Sequence, residues 1–173
     1  MIAKPKRSTI ASNLISLAIL TALAVMCLNA PKPVTAPKAP ALSDAELFCL
    51  VQNVYHEARG ESAWGQLAVA YVTLNRVKSG IYPASICGVV YQPHQFAWTG
   101  DRLSDAMPDL KALSRAVDVA LAAWRGTGPN LIGRALHFYA HHKVRPHWAD
   151  AAEWKIVVDN HTFLTLKRKY GNL

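Results

Sequence analysis

The segment His56–Ala63, HEARGESA, sets two carboxylates four positions apart across an Arg-Gly pair, between two helix-forming stretches. A chain with this corner has to fold its first two helices against each other. Upstream, Ser43 with Glu46 forms a capping-box start signal, and Leu47, Leu50, Val51, Val54 and Tyr55 follow at helical spacing, giving one apolar face. Glu57 then falls in the last turn of that helix. Gly60 is expected as a left-handed cap, and Glu61-Ser62 should open a second helix running from about Gly65 to Lys78. A carboxylate at a helix C-terminus meets the negative end of the helix dipole, and an apolar wall disfavours its charged form further. Such a group holds its proton towards neutral pH, as a general acid must. The same letters also fit a solvated ion-pair cluster of Glu57, Arg59 and Glu61, and the pattern alone leaves both readings open.

Beyond the corner the chain has no internal repeat. Gly65 to Lys78 is apolar almost all round, which predicts a central buried helix. Leu110, Leu113, Val117, Leu121 and Trp124 form another helical stripe, stopped by Gly126. After Gly128-Pro129 the pattern changes to strands. Ala135–Ala140 is one, and Trp154–Val158 with Thr162–Leu166 around Asp159-Asn160 form a hairpin. The fold class expected is α+β, a compact domain with helices first and a small antiparallel sheet near the C-terminus.

The 173 residues divide into three parts. Residues 1–30 open with Lys4, Lys6 and Arg7 and continue with an uncharged apolar run, Ile10 to Ala30, which predicts a signal anchor or a cleaved signal peptide. Residues 31–42 are a Pro/Ala/Lys tether, expected to be extended. Residues 43–173 form the single domain. By the positive-inside rule the domain lies outside the cytoplasm, anchored at the membrane and facing the periplasm, or secreted. An oxidising compartment lets Cys49 and Cys87 pair if the fold brings them together, two buried thiols being the alternative. Such a bridge is worth roughly 3–4 kcal/mol in the chain-entropy model.

The net charge of +8 invites a nucleic-acid reading. Lys4, Lys6, Arg7, Lys32 and Lys38 all precede residue 42, however, leaving 14 basic against 11 acidic residues on the domain. That excess, with one short cluster at Lys167-Arg168-Lys169, excludes a strong nucleic-acid footprint and suits loose attraction to anionic polymers.

From Cys49 to Trp98 the chain resembles the SleB/CwlJ-type cell-wall hydrolases, the family of spore-cortex-lytic enzymes and related peptidoglycan hydrolases. The segments that carry the resemblance are NVYHEARGES (Asn53–Ser62), GQLAVAYVTLNRVKSG (Gly65–Gly80), YPASICGVVYQPHQFAW (Tyr82–Trp98) and, more loosely, ALHFYAHHKVRPHW (Ala135–Trp148). The resemblance implies a lysozyme-like or transglycosylase-like domain and cleavage of the glycan strand between N-acetylmuramic acid and N-acetylglucosamine. It places the catalytic acid at Glu57, at the edge of a groove between helices and sheet.

Lytic transglycosylation needs one carboxyl group acting first as acid and then as base, and no cofactor. A hydrolase instead needs a second carboxylate, about 5 Å or 6.5–9.5 Å away. Glu61 is the nearest in sequence, in a supporting or a direct role, with Asp101 and Asp105 reachable only through the fold. Sugars present apolar ring faces and hydroxyls, so Tyr91, Gln92, Gln95, Phe96 and Trp98 are expected as contacts, with Tyr55, Gln66, Phe138 and Tyr139 as secondary ones. Peptidoglycan is the expected partner of a monomeric protein. Two other classes compete: a zinc amidase using His137, His141, His142 or His147, disfavoured because no HExxH motif is present, and a noncatalytic glycan-binding module.

Overall fold

A computed structural model describes residues 43–167. Helix α1 (Asp44–Ala58) starts at Ser43, whose Oγ accepts from Glu46 N at 3.2 Å. The Glu46 carboxylate does not fold back on that cap. It accepts instead from the backbone N–H groups of Ile86 and Cys87, at the start of the short helix α3 (Ile86–Val90). Beside this grip, Cys49 and Cys87 form a disulfide, which fixes α3 against α1.

Helix α2 (Ala63–Ser79) starts at Ser62 and ends at the left-handed Gly80. As its apolar pattern predicts, it is buried along most of its length, from Gly65 through Leu74. Helix α4 (Leu110–Arg125) is capped by Asp109, whose Oδ1 accepts from Ala112 N at 2.9 Å, and stops at left-handed Gly126. Helices α1, α2 and α4 pack on one another around Leu50, Val54, Val69 and Val72.

Three antiparallel strands follow: β1 (His137–Ala140), β2 (Ala152–Val158) and β3 (His161–Leu166), in the order β1-β3-β2. His137 pairs with Leu164 across β1 and β3, and Val158 with His161 across the β2–β3 turn. Phe163 on the central strand is wholly buried and stacks on Phe138 at 5.6 Å, joining the sheet to the helical core.

Three local expectations change. Gly60 is not left-handed: α1 runs into a right-handed Arg59, with Glu61 N donating to Ala58 O at 2.9 Å. The buried face of α4 is the alanine row Ala112, Ala116, Ala120 and Ala123 with Val119, while Leu110 is exposed and the larger apolar side chains flank the contact. Small side chains let the helix axes approach closely, and the bulky ones cover the seam. Strand β1 begins two residues late because the Ala135 and Leu136 carbonyls accept from Asn75 Nδ2 (3.0 Å) and Arg76 Nε (2.9 Å) on α2 rather than from a strand.

The signal anchor or peptide at 1–30 and the tether at 31–42 lie outside the described residues. Among the described residues no helix is long and apolar enough to cross a membrane.

Candidate active site

Glu57 occupies the last turn of α1, partly buried. Burial pushes its carboxyl from 4.5 up to about 7, against the opposing pull of the Arg76 and Lys143 cations. A carboxyl in this state is about half protonated at neutral pH, so it can donate a proton and take one back. The direction of the shift is the one expected from the sequence. Its main cause is desolvation.

Glu61, four residues on, is engaged differently. Asn160 donates to it from its backbone N (3.1 Å to Oε2) and from Nδ2 (3.2 Å to Oε1), and His161 Nδ1 lies 3.8 Å from Oε1. In the reverse direction, Ser62 donates to Asp159 Oδ2 from its N at 2.9 Å and from its Oγ at 2.6 Å. The β2–β3 turn thus clasps the α1–α2 corner from both sides. Asp159 holds the left-handed backbone that a tight turn requires (φ 49°). Gly65 is obligatory here, since a Cβ would stand 2.5 Å from Asp159 Oδ2 and 2.9 Å from Glu61 Cβ.

The expected sugar contacts divide between surface and interior. Tyr91 is exposed, with its hydroxyl donating to Gln52 Oε1 at 2.7 Å. Gln95 and Tyr139 are half-buried. Tyr55, Gln66 and Phe96 are interior side chains: Tyr55 Oη accepts from Asp109 N at 3.2 Å, Gln66 Nε2 donates to Glu61 O at 3.2 Å, and Phe96 packs in the core. Trp98 is 8% exposed; its Nε1 donates to Asn53 Oδ1 (3.0 Å), and Asn53 Nδ2 donates to Thr73 Oγ1 (3.0 Å). The indole face stacks on His56, with ring centroids 4.5 Å apart.

One cleft lies at this end of α1 and another lies between Arg76 of α2 and the sheet, and Glu57 lines neither. One, of about 500 Å³, is lined by Tyr55, His56, Arg59, Trp98, Asp101 and Asp105, among others, and His56 is the chain neighbour of Glu57. The Asp105 backbone carbonyl lies 3.3 Å from His56 Nε2, while Asp101 Oδ1 accepts from Leu103 N at 2.8 Å. The other cleft, of about 260 Å³, is lined by Arg76, His94, Gln95, His137, Phe138 and Trp148, with Leu166. Burial and the nearby Arg76 charge hold His137 well below its usual range, at about 4, so its ring is neutral at physiological pH. His141 lies 3.4 Å from Thr162 Oγ1 through Nδ1, and among the described residues no three His, Cys, Asp or Glu side chains are placed to hold a metal ion.

Arg76 and the Asp159-Asn160 pair did not figure among the sequence candidates. In the sequence Arg76 reads as an ordinary basic residue in the last turn of an apolar helix. Asp159 and Asn160 were read only as turn formers.

A helical core followed by a small three-stranded antiparallel sheet is a lysozyme-like fold, and comparison with solved structures agrees on that fold. The Cell Wall Hydrolase family model matches residues 60–164, beginning three residues after Glu57. The chain belongs to the cell wall hydrolase family. The spore cortex-lytic enzyme of Oceanobacillus iheyensis is 34% identical over 106 residues, 61% of this chain and 36% of that protein. The spore cortex-lytic enzyme of Bacillus subtilis is 38% identical over 82 residues, 47% of this chain and 27% of that protein. The chain thus spans about a third of the length of these relatives. The crystal structure of the catalytic domain of the Bacillus cereus SleB protein aligns with a TM-score of 0.62 at 28% identity, covering 73% of this chain and 94% of that one. The catalytic domain of the germination-specific lytic transglycosylase SleB of Bacillus anthracis aligns with a TM-score of 0.60 at 28% identity, over 73% and 98%.

Proposed function

We propose that this domain cleaves the glycan strand of peptidoglycan between N-acetylmuramic acid and N-acetylglucosamine by lytic transglycosylation, with Glu57 as acid and then base. The observation that carries the reading is a single carboxyl raised to about 7 by burial, while the next acid in sequence, Glu61, is occupied by Asn160. Glu57 protonates the glycosidic oxygen as the bond from muramic C1 breaks. The resulting carboxylate takes the proton from the muramic C6 hydroxyl, whose oxygen closes on C1 as a 1,6-anhydro ring. Glu57 ends protonated, and no water is consumed. Glu61 supports this reaction by holding the corner on which Glu57 stands.

Tyr91, Gln95, Tyr139 and the accessible edge of Trp98 line the path of the sugar chain in this proposal. Tyr55, Gln66 and Phe96 shape it from beneath. Action on the wall places the domain outside the cytoplasm, held by residues 1–30 and the tether at 31–42, or released from them.

Mass spectrometry of the fragments released from purified sacculi tests the reading. Anhydro-muramic ends that disappear in Glu57→Gln are expected. Reducing ends would require a second carboxylate and overturn the single-acid mechanism, and free peptides with intact glycan would overturn glycan cleavage altogether.

A further inference from the structure

Arg76 is 5% exposed, on the most deeply buried helix of the fold. Its Nε donates to Leu136 O at 2.9 Å, and its guanidinium carbon lies 5.1 Å from the Tyr82 ring centroid and 5.0 Å from that of Phe96. Its Nη1 is buried with no hydrogen-bond partner among the described residues. A buried cation with an unspent donor is costly, because desolvation is not offset by pairing. Yet the plane of this guanidinium is fixed by two rings and a carbonyl, and the side chain lines the smaller cleft together with His94, Gln95, His137 and Trp148.

From this geometry we propose that the cleft lined by Arg76 is a carboxylate-binding subsite, taking an acid group of the substrate. The inference rests on the glycan-cleaving reading above and adds a specificity determinant to it. A guanidinium edge offers two parallel donors that match a carboxylate, which an ammonium could not do. His137 is neutral and adds no second charge, so the cleft suits one negative charge better than a phosphate dianion. The anion whose charge bears on Arg76 is Glu57, with Tyr82 alongside. When Glu57 carries its catalytic proton that counter-charge vanishes, and a substrate carboxylate replaces it. Two groups of peptidoglycan have this chemistry: the lactyl carboxylate of muramic acid lacking a peptide, and the carboxylates of the stem peptide.

Ligand-observed NMR on the full chain tests the subsite with three probes: N-acetylmuramic acid, N-acetylmuramyl-L-alanyl-D-glutamate and the neutral N-acetylglucosamine. One or both acid probes should bind at least about tenfold more tightly than N-acetylglucosamine, and Arg76→Gln should erase the difference. Preference for the first acid probe alone assigns the lactyl group; preference for the second alone assigns the stem peptide. Because Arg76 is buried, Gln95→Glu provides a second variant at a half-buried position. It sets a like charge against the ligand and should remove the preference for the acid probes. Equal affinity for all three probes, no binding of the acids at about 10 mM, or a preference that survives both variants would overturn the subsite. Muropeptide release by the same preparations separates the two proposals. A carboxylate preference in a chain that releases no anhydro ends would sink the glycan-cleaving reading and leave the subsite. Anhydro release without any preference would do the reverse.

Discussion

At the scale of the residue, the proposed chemistry depends on where Glu57 keeps its proton. With the carboxyl at about 7, activity should fall about tenfold per pH unit above that point, as the acid form is titrated away. Lys143 is exposed and pulls Glu57 downward, so Lys143→Gln should move this alkaline limb to higher pH. A pH–rate profile of the variant beside the parent checks both. Glu57→Gln should lower turnover by about 10²–10⁴-fold, the ordinary range for loss of a general acid–base group. The sequence located Glu57 in the final turn of α1 because a capping box and an apolar stripe fix the helix phase. It did not reveal Arg76. A single cation near a helix end resembles any solvated last-turn basic residue, and its burial depends on Phe96 and Leu136, 20 and 60 positions away.

At the scale of the element, the α1–α2 corner and the β2–β3 turn hold each other. Asp159→Ala removes two hydrogen bonds to Ser62 and leaves an alanine in the left-handed region, so it should cost about 2–3 kcal/mol in denaturant unfolding. Glu61→Gln should also lower stability while leaving the alkaline limb of the pH profile where it is; a displaced limb would show that Glu61 takes part in the proton transfer. The hairpin was legible in the sequence because Asp159-Asn160 separates two short β-rich runs. Its docking on the corner was not, since neither turn chemistry nor periodicity carries information across the 97 residues between Ser62 and Asp159. The buried face of α4 was misjudged for a related reason: hydrophobic size suggested the large residues, whereas close helix packing selected the alanines.

At the scale of the whole molecule, two buried groups give stability opposite slopes with pH. Glu57 is raised in the fold, from 4.5 to about 7, so its favourable contribution is complete below about 4.5 and is lost as pH rises through about 7. His137 is depressed, from 6.5 to about 4, so its contribution is present above about 6.5 and is lost as pH falls towards 4. Thermal melts should therefore peak between these limits, and Glu57→Gln should flatten the upper side, adding on the order of 1–3 kcal/mol at pH 8. The Cys49–Cys87 bridge, 38 residues apart, should be worth about 2–4 kcal/mol, read as the shift in unfolding midpoint on reduction.

The clasp between Ser62 and Asp159 also sets an order of events. A polypeptide is made N-terminus first, so Glu57 emerges about a hundred residues ahead of the turn that steadies its corner. Until that loop closes, the corner next to Glu57 lacks the Ser62–Asp159 and Glu61–Asn160 hydrogen bonds that tie it to the sheet. The corner is therefore completed only when the last hairpin of the described fold docks on it.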